Sequence, residues 1–119
     1  MSNSTLNIIK IGGNVIDDDI QLETFLEKFA AIPGKKILVH GGGKIATRIA
    51  SKIGLEAKMV DGRRITDKDM LEVVTMVYGG VTNKNMVATL QKYICDALGL
   101  SGADGNVMKA VKRPVKEID

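Results

Sequence analysis

Residues 6–13 read LNIIKIGG, a short isoleucine-rich run that stops at two glycines. Residues 35–43 read KKILVHGGG and repeat the arrangement, with three glycines after the apolar run. Each run has the composition of a buried β-strand. Residues 17–29 and 45–54 follow the two runs and carry apolar side chains at helical spacing. The order of strand, glycine loop and helix, met twice, predicts an α/β fold with a parallel sheet and right-handed crossovers.

A hairpin and a long helix are predicted next. Residues 57–65 favour a β-hairpin, because Asp61 and Gly62 form a common turn pair between two short arms. Residues 66–69 (TDKD) can cap a helix. The apolar side chains on one face of that helix are Met70, Val73, Val74 and Val77.

Two glycines interrupt the helical pattern, and we expect Gly79 and Gly80 to break or bend the helix. Helical spacing then continues as far as Gly99 through Val87, Leu90, Ile94 and Leu98. Residues 99–105 are rich in turn-forming side chains, and residues 106–111 predict the beginning of another strand.

Length and composition exclude several classes of protein. The 119 residues are enough for one ordinary domain and too few for two. No apolar run reaches the roughly 18 residues of a membrane span, and residues 1–7 lack the layout of a signal peptide. We therefore expect a cytoplasmic protein with no membrane partner. The single cysteine, Cys95, and the single histidine, His40, cannot form an internal disulfide or a four-ligand zinc site.

The net charge of +3 does not indicate a nucleic-acid partner. Four basic and two acidic side chains lie in residues 109–119, so residues 1–108 hold 13 basic and 12 acidic groups and are close to neutral. Nucleic-acid surfaces need a basic face and usually aromatic side chains for stacking. This chain has two Phe, two Tyr and no Trp.

Lysine and two glycine loops meet at one edge of the predicted sheet. Ligands of open parallel sheets lie beyond the carboxyl ends of the strands, where Gly12-Gly13 and Gly41-Gly42-Gly43 are expected. Glycine has no Cβ, so its backbone N–H groups can approach an anion closely. Lys10 would supply a charge suited to a phosphoryl group. The spacing matches neither the P-loop nor the dinucleotide-binding fingerprint, and each piece alone also fits a tight turn or a surface lysine.

Other side chains have competing interpretations. His40 has no evident carboxylate or nucleophile partner, so a structural or loop-bonding histidine is favoured over a general base. Arg63 and Arg64 follow the turn of the hairpin and would either clamp a carboxylate or remain at the surface. Cys95 is interpreted as a small core residue.

Five segments resemble the amino-acid kinase superfamily and, within it, the N-acetylglutamate kinases. They are residues 8–14 (IIKIGGN), 39–43 (VHGGG), 61–67 (DGRRITD), 79–84 (GGVTNK) and 99–105 (GLSGADG). K-x-G-G alone marks the superfamily, which also includes aspartate and carbamate kinases, whereas all five segments in order favour the N-acetylglutamate branch. The resemblance covers residues 6–113 and implies a three-layer αβα sandwich with a mainly parallel sheet.

The resemblance implies a reaction in arginine biosynthesis. The γ-carboxylate of N-acetyl-L-glutamate, or of another N-acyl-L-glutamate, would be phosphorylated by ATP, with Mg²⁺ held mainly by the ATP phosphates. Lys10 would stabilise the transferring phosphoryl group, and Lys10, Gly12 and Gly13 would contact the nucleotide phosphates.

The same resemblance implies where the acylated substrate binds. Gly41, Gly42 and Gly43 would hold it near its reacting carboxylate, and Arg64 would bind its α-carboxylate from the hairpin. Lys44 departs from the many members with proline or a small residue at that position.

Family members are considerably longer than this chain. We therefore expect residues 1–119 to be the N-terminal, acylglutamate-binding half of a kinase domain, with the nucleotide-binding half absent and no activity in isolation. The helix from residue 67 is similar to a helix at the family's dimer contact, which implies a homodimer of the full-length form. Two alternatives stay open: a non-catalytic module that binds an acylated amino acid or dimerises, and another kinase of the superfamily with aspartate or carbamate as substrate.

Overall fold

The computed structural model describes residues 5–114. Its helices and strands are, in chain order, β1 (Leu6–Lys10), α1 (Gly13–Ile16), α2 (Asp19–Ala31), β2 (Lys35–Val39), α3 (Ile45–Lys52), β3 (Lys58–Val60), β4 (Arg63–Ile65), α4 (Lys68–Val74), a π-helical segment (Thr75–Thr82), α5 (Asn83–Lys92) and a 3-10 turn (Asp104–Asn106). The α/β fold with a parallel sheet is confirmed.

Strands β1 and β2 pair in parallel, with Ile8 opposite Ile37 and Lys10 opposite Val39. Helix α2 forms the crossover between them. Asp18 begins it by accepting hydrogen bonds from the backbone N–H groups of Ile20 and Gln21, at 3.1 and 3.0 Å. The expected pair of strands is therefore present, although the short helix α1 at the first glycine pair was not predicted.

One core cluster lies between this sheet and the helices α2 and α5. Its buried members are Ile11, Ile16, Leu26, Phe29, Met86 and Leu90, and Ile9 and Leu38 pack against them from the strands. Cys95 also contacts this cluster and is half-buried, which agrees with its interpretation as a core residue. The Phe25 and Phe29 rings stack with their centroids 6.3 Å apart.

The opposite face of the sheet carries apolar side chains that no described helix covers. Ile8 is 64% exposed, and Leu6, Ile37 and Val39 are 44 to 47% exposed. Side chains of a strand alternate between the two faces of the sheet. Because Ile9 and Leu38 face the first core cluster, their neighbours along the strands lie on the opposite face. Parallel sheets are normally covered on both faces.

A second core cluster joins α3 to α4 and the π-helical segment. It consists of Ala46, Ala50, Met70, Val73 and Val77, all of them buried. Strands β3 and β4 form the predicted antiparallel hairpin, and Asp61 and Gly62 both adopt positive φ at its turn. Asp67 caps α4 by accepting a 2.9 Å hydrogen bond from the Met70 N–H, as the sequence predicts.

The helix is not broken at Gly79 and Gly80, so that part of the prediction is wrong, whereas the alternative of a bend stays a prediction. Helical structure continues from α4 through the π-helical segment into α5, and neither glycine has positive φ. The chain absorbs the two glycines by widening the helix to the i→i+5 pattern rather than by interrupting it, and such wide turns are often found at functional sites.

Two predictions for the end of the chain are also wrong. Helix α5 ends at Lys92 instead of near Gly99, because Ile94 adopts φ +60°. The Ile94 side chain is 91% exposed, so it makes no core contact that would favour a longer helix. No strand forms in the described part of residues 106–111, where a 3-10 turn gives way to irregular backbone. No helix within residues 5–114 is long and apolar enough to cross a membrane.

Candidate functional site

The two glycine loops lie side by side at the carboxyl edge of the parallel sheet. The Ile11 N–H donates to the Val39 carbonyl at 3.0 Å, which extends the strand pairing to the start of both loops. A Cβ on Gly13 would lie 3.4 Å from the Cα of Gly43, so the loops are in contact. The predicted juxtaposition of the two loops is confirmed, and it follows from parallel strands that end level with each other.

Lys10 lies at the end of β1, at the same edge. Its side chain is exposed and shares the uncovered face with Val39, its partner in the register. No ion pair or hydrogen bond to Lys10 is found within the described part of the chain, so its charge is available to a ligand.

The third glycine of the second loop is held against Asp17. Gly43 has φ +59°, and a Cβ there would lie 2.3 Å from Asp17 Oδ1. The same oxygen accepts a 2.9 Å hydrogen bond from the Lys44 backbone N–H, which begins α3. Asp17 therefore ties the end of α1 to the second loop. The sequence showed only a run of three aspartates before a helix, and it could not tell which of them would cap the helix and which would bind the loop. In the structure Asp18 caps α2 and Asp17 binds the loop.

The middle glycine is buried beneath an aromatic ring. A Cβ on Gly42 would lie 1.9 Å from Tyr78 Cε1 and 2.1 Å from Cδ1, so the ring occupies the space of a side chain. Tyr78 belongs to the π-helical segment. Glycine is thus required at position 42 for packing, in addition to any contact with a ligand.

Arg64 is half-buried and bonded to two hydroxyl groups. Its Nη1 donates to the Tyr78 hydroxyl at 3.0 Å, and its Nη2 donates to Thr47 Oγ1 at 2.7 Å. Its Nε is buried without a hydrogen-bond partner among residues 5–114. Arg63 is exposed by comparison. The structure therefore selects Arg64 as the hairpin arginine that reaches the loop, through Tyr78.

A polar network holds His40, directly before the second loop. His40 Nδ1 donates to the Gly41 carbonyl at 2.7 Å, and Nε2 accepts from Asn83 Nδ2 at 3.0 Å. The orientation of the buried Asn83 amide is set by its other partners: Nδ2 donates to the Leu100 carbonyl and Oδ1 accepts from Lys84 Nζ. The interpretation of His40 as a loop-bonding residue is confirmed.

This network also joins the segment after α5 to the site. Lys84 Nζ donates to the Gly99 carbonyl at 2.9 Å, and a Cβ on Gly99 would lie 2.1 Å from Asn83 Oδ1. Asp104 then closes the following turn by accepting from the N–H and hydroxyl of Ser101, and these bonds lower the pKa of the Asp104 carboxyl group. The motif segments 79–84 and 99–105 therefore meet beside the second glycine loop.

The described residues favour an anion over a bare metal ion. No group of three or more His, Cys, Asp or Glu side chains able to hold a metal is found within residues 5–114. What the site offers is the backbone of two glycine loops, Lys10 and Arg64, which are donors and positive charges suited to carboxylate and phosphate oxygens.

The chain matches the family model described as the amino acid kinase family over residues 5–119. This chain belongs to the amino acid kinase family. The model match spans every segment that forms the site, from the first strand to the turn at Asp104.

Curated relatives are acetylglutamate kinases. One from Bacteroides thetaiotaomicron is 59% identical over 114 residues, covering 96% of this chain and 44% of the relative. Another from Cytophaga hutchinsonii is 60% identical over 111 residues, covering 93% of this chain and 42% of the relative. One from Methanopyrus kandleri is 42% identical over 108 residues, covering 91% and 41%. The chain spans less than half the length of the relatives it matches.

Sequence reasoning identified the glycine loops, Lys10 and Arg64 but missed the groups that support them. Tyr78, Thr47 and Asn83 lie on three different helical segments. Asn83 belongs to the segment 79–84 that carries the family resemblance, whereas nothing in the local sequence distinguishes Thr47 from an ordinary helix residue. For Tyr78, the available signal was that it is one of only two tyrosines and directly precedes Gly79 and Gly80.

Proposed function

We propose that this chain is the N-terminal, acylglutamate-binding half of an amino acid kinase domain. In the whole protein, phosphoryl transfer from ATP to the γ-carboxylate of N-acetyl-L-glutamate, or of another N-acyl-L-glutamate, would serve arginine biosynthesis. The observation that carries the proposal is that Arg64 and the second glycine loop belong to one site, joined by the Tyr78 side chain. The names of the relatives support the choice of substrate.

The proposed substrate has two carboxylates, and the chain offers two groups of donors. Its two carboxylates need two separate groups of donors, and the chain offers the Arg64 guanidinium and the backbone of residues 41–43. Arg64 would bind the α-carboxylate, because a guanidinium can donate two parallel hydrogen bonds to one carboxylate. Gly41, Gly42 and Gly43 would hold the acyl substrate near its reacting carboxylate.

The proposed nucleotide contacts lie on the first loop. Gly12 and Gly13 would approach the phosphates of ATP through their backbone, and a Cβ on Gly12 would meet nothing within 4 Å, so the approach there is open. Lys10 would offset the charge of the transferring phosphoryl group. ATP supplies that group when bound, and Mg²⁺ held by its phosphates offsets their charge. Transfer between two anions needs positioning and positive charge more than a covalent nucleophile.

Calorimetric titration of the chain tests this assignment. We expect N-acetyl-L-glutamate to bind, ATP to bind only weakly, and Arg64→Ala to weaken acylglutamate binding about tenfold or more, as loss of a charge-assisted pair does. Arg63→Ala is the matched control, because it removes the neighbouring exposed arginine and should leave the affinity unchanged. Equal affinity in the unaltered chain and the Arg64→Ala variant contradicts the proposed role of Arg64. Preferential binding of aspartate or carbamate favours another kinase of the family.

We also propose that the isolated chain transfers no phosphoryl group. A coupled assay should detect no ADP release that depends on N-acetyl-L-glutamate. Fusion of the full chain, residues 1–119, to the part of the Bacteroides thetaiotaomicron relative that follows the matched region should give such release. A native-like rate from the chain alone would show that the missing half is unnecessary.

A homodimer of the whole protein is part of the proposal. The outer face of α4 and the π-helical segment has a shallow, open depression lined by Lys68, Leu71, Glu72, Thr75 and Met76, all of them exposed. Leu71 and Met76 are each 55% exposed there, and we propose that this apolar pair packs against the partner subunit. Sedimentation of the whole protein should show a dimer, and Leu71→Lys should shift it toward the monomer. A dimer unaffected by this change would rule out this face.

We further propose a cytoplasmic location and no nucleic-acid or membrane partner. No helix within residues 5–114 could span a membrane, and the charges of residues 1–108 nearly balance. Fractionation of the native cell with detection of this chain is the direct measurement, and recovery in a membrane fraction would contradict the proposal.

A further inference from the structure

Tyr78 contacts both parts of the proposed substrate site with one side chain. Its ring lies against Gly42 so closely that no Cβ could be placed there, and its hydroxyl accepts from Arg64 Nη1 at 3.0 Å. The π-helical segment positions it: in the wider helix, Tyr78 faces the glycine loop while Val77 beside it is buried in the second core cluster. A change at Tyr78 therefore affects the loop and the arginine together.

The direction of the hydrogen bonds at Arg64 determines what remains for a ligand. A guanidinium only donates, so the hydroxyls of Tyr78 and Thr47 must both act as acceptors. Each hydroxyl keeps its own hydrogen, and neither hydrogen has an acceptor among residues 5–114. Two O–H donors, oriented by their bonds to Arg64, therefore flank the guanidinium. A group of donors without acceptors is the arrangement that an anion satisfies.

We propose that Tyr78 and Thr47 complete the α-carboxylate site around Arg64, each hydroxyl accepting from the guanidinium and donating its own hydrogen to the carboxylate of the ligand. This inference rests on the proposed function, because it specifies the partners of the same carboxylate. Tyr78 then has a second effect, since its ring sets the position of Gly42 and so the distance between the two ends of the substrate.

Titration with two ligands tests the proposal. N-acetyl-L-glutamate carries the α-carboxylate, and N-acetyl-4-aminobutyrate is the same molecule without it. For Tyr78→Phe, which keeps the ring on Gly42 and removes only the hydroxyl, we expect about tenfold weaker binding of the first ligand and less than a twofold change for the second. Thr47→Val should show the same selective loss, and Arg64→Ala a larger one.

The second tyrosine of the chain is the matched control. Tyr93→Phe removes a hydroxyl that bonds Glu23 at the far end of α5, and it should leave both affinities unchanged. If Tyr78→Phe binds N-acetyl-L-glutamate as well as the unaltered chain while Arg64→Ala does not, this inference is wrong and the proposed function stands. Equal weakening for both ligands is also contrary to it, because the hydroxyl would then act only through the loop. If the unaltered chain does not distinguish the two ligands, the proposed function fails as well.

A measurement without ligand separates the hydrogen bonds from the binding. In ¹⁵N NMR spectra, the Arg64 Nη–H signals of the unaltered chain should exchange slowly with solvent, because both nitrogens are bonded to hydroxyls. Tyr78→Phe should accelerate exchange at Arg64 and Tyr93→Phe should not. Fast exchange in the unaltered chain, or no difference between the two variants, would show that the hydroxyls do not hold the guanidinium.

Discussion

Position 42 requires glycine because of close packing rather than because of an unusual backbone conformation. Gly42 is not among the residues with positive φ, unlike Gly43, so its backbone would accept an alanine. What excludes a side chain is the Tyr78 ring in the space where a Cβ would stand. Glycine is thus needed at these two adjacent positions for different physical reasons. At Gly42 the Tyr78 ring occupies the space of a side chain, and at Gly43 the backbone is left-handed and lies against Asp17.

We expect Gly42→Ala to destabilise the chain by about 1–3 kcal/mol, the usual range for an added carbon in a closely packed place. It should also weaken binding of N-acetyl-L-glutamate, because the Tyr78 ring must move away from the loop. Urea unfolding and calorimetric titration measure the two effects.

Gly41→Ala is the control for that substitution. A Cβ on Gly41 would meet nothing within 4 Å, and its φ is not positive, so the free energy of unfolding should change little. If both variants are equally stable, the ring does not occupy the space above Gly42.

The long helix shows how an element adapts to residues that disfavour it. Gly79 and Gly80 lower helix propensity, yet the helix continues because Val77 before them and Met86 after them are both buried in core clusters. Burial on both sides outweighs the local preference of the two glycines.

Gly79→Ala should stabilise the chain by about 0.4–1 kcal/mol, because alanine loses less backbone entropy on folding in a helical conformation. A Cβ at this position would meet nothing within 4 Å. The free energy of unfolding from urea titration is the measurement.

Gly99→Ala provides the opposite case. Its Cβ would lie 2.1 Å from Asn83 Oδ1 and 2.7 Å from Val87 Cγ2, so this variant should lose stability. A loss of stability in Gly79→Ala as well would mean that the helical segment depends on the flexibility of its glycines.

Helices α2 and α5 are also linked by an exposed polar contact. Glu23 accepts from Lys92 Nζ and from the Tyr93 hydroxyl, the latter at 2.7 Å. These two hydrogen bonds lower the pKa of the Glu23 carboxyl group, and the bond to Glu23 raises the pKa of Lys92 and of Tyr93. Because the pKa of Glu23 is lower in the folded chain than in the unfolded chain, its carboxylate stabilises the fold at pH values above the unfolded-chain pKa. This stabilisation is lost as the pH falls through the pKa of the folded chain.

Glu23→Gln should therefore lower the denaturation midpoint at pH 7, with a difference that shrinks as pH falls below about 4.5, the ordinary value for this group. High salt should also reduce this difference in midpoint, because the charged side chains of Glu23 and Lys92 are largely exposed. Glu27→Gln, on the same helix without such an ion pair in the described structure, is the control. A midpoint difference independent of pH would mean that the carboxylate charge contributes nothing.

At the scale of the whole molecule, the uncovered sheet face is the main departure from an ordinary parallel α/β domain. Leu6, Ile8, Ile37 and Val39 expose a continuous apolar surface beside Lys10. Their exposure means that they contribute less burial to stability than residues of the opposite face such as Ile11, which is 4% exposed.

The double variant Ile8→Thr, Ile37→Thr should remain nearly as stable as the unaltered chain and bind less of the dye ANS, which adsorbs to exposed apolar surface. Ile11→Thr should instead lose about 2–4 kcal/mol, because it removes a buried side chain and leaves a hydroxyl in the core. Equal loss of stability in both variants would show that the two faces are equally covered in solution.

Local patterns in the sequence determined the order of the strands and helices, the parallel sheet, the hairpin and the two glycine loops, since each depends on propensity, periodicity or turn chemistry within a few residues. They also pointed to Lys10 and to the pair Arg63 and Arg64, of which the family resemblance selected Arg64. Only the tertiary structure decided that the helix passes through Gly79 and Gly80, that α5 ends at Lys92, and that Tyr78 joins Gly42 to Arg64. The physical reason is that these features depend on contacts between residues far apart in sequence, where burial and hydrogen bonding outweigh local preference.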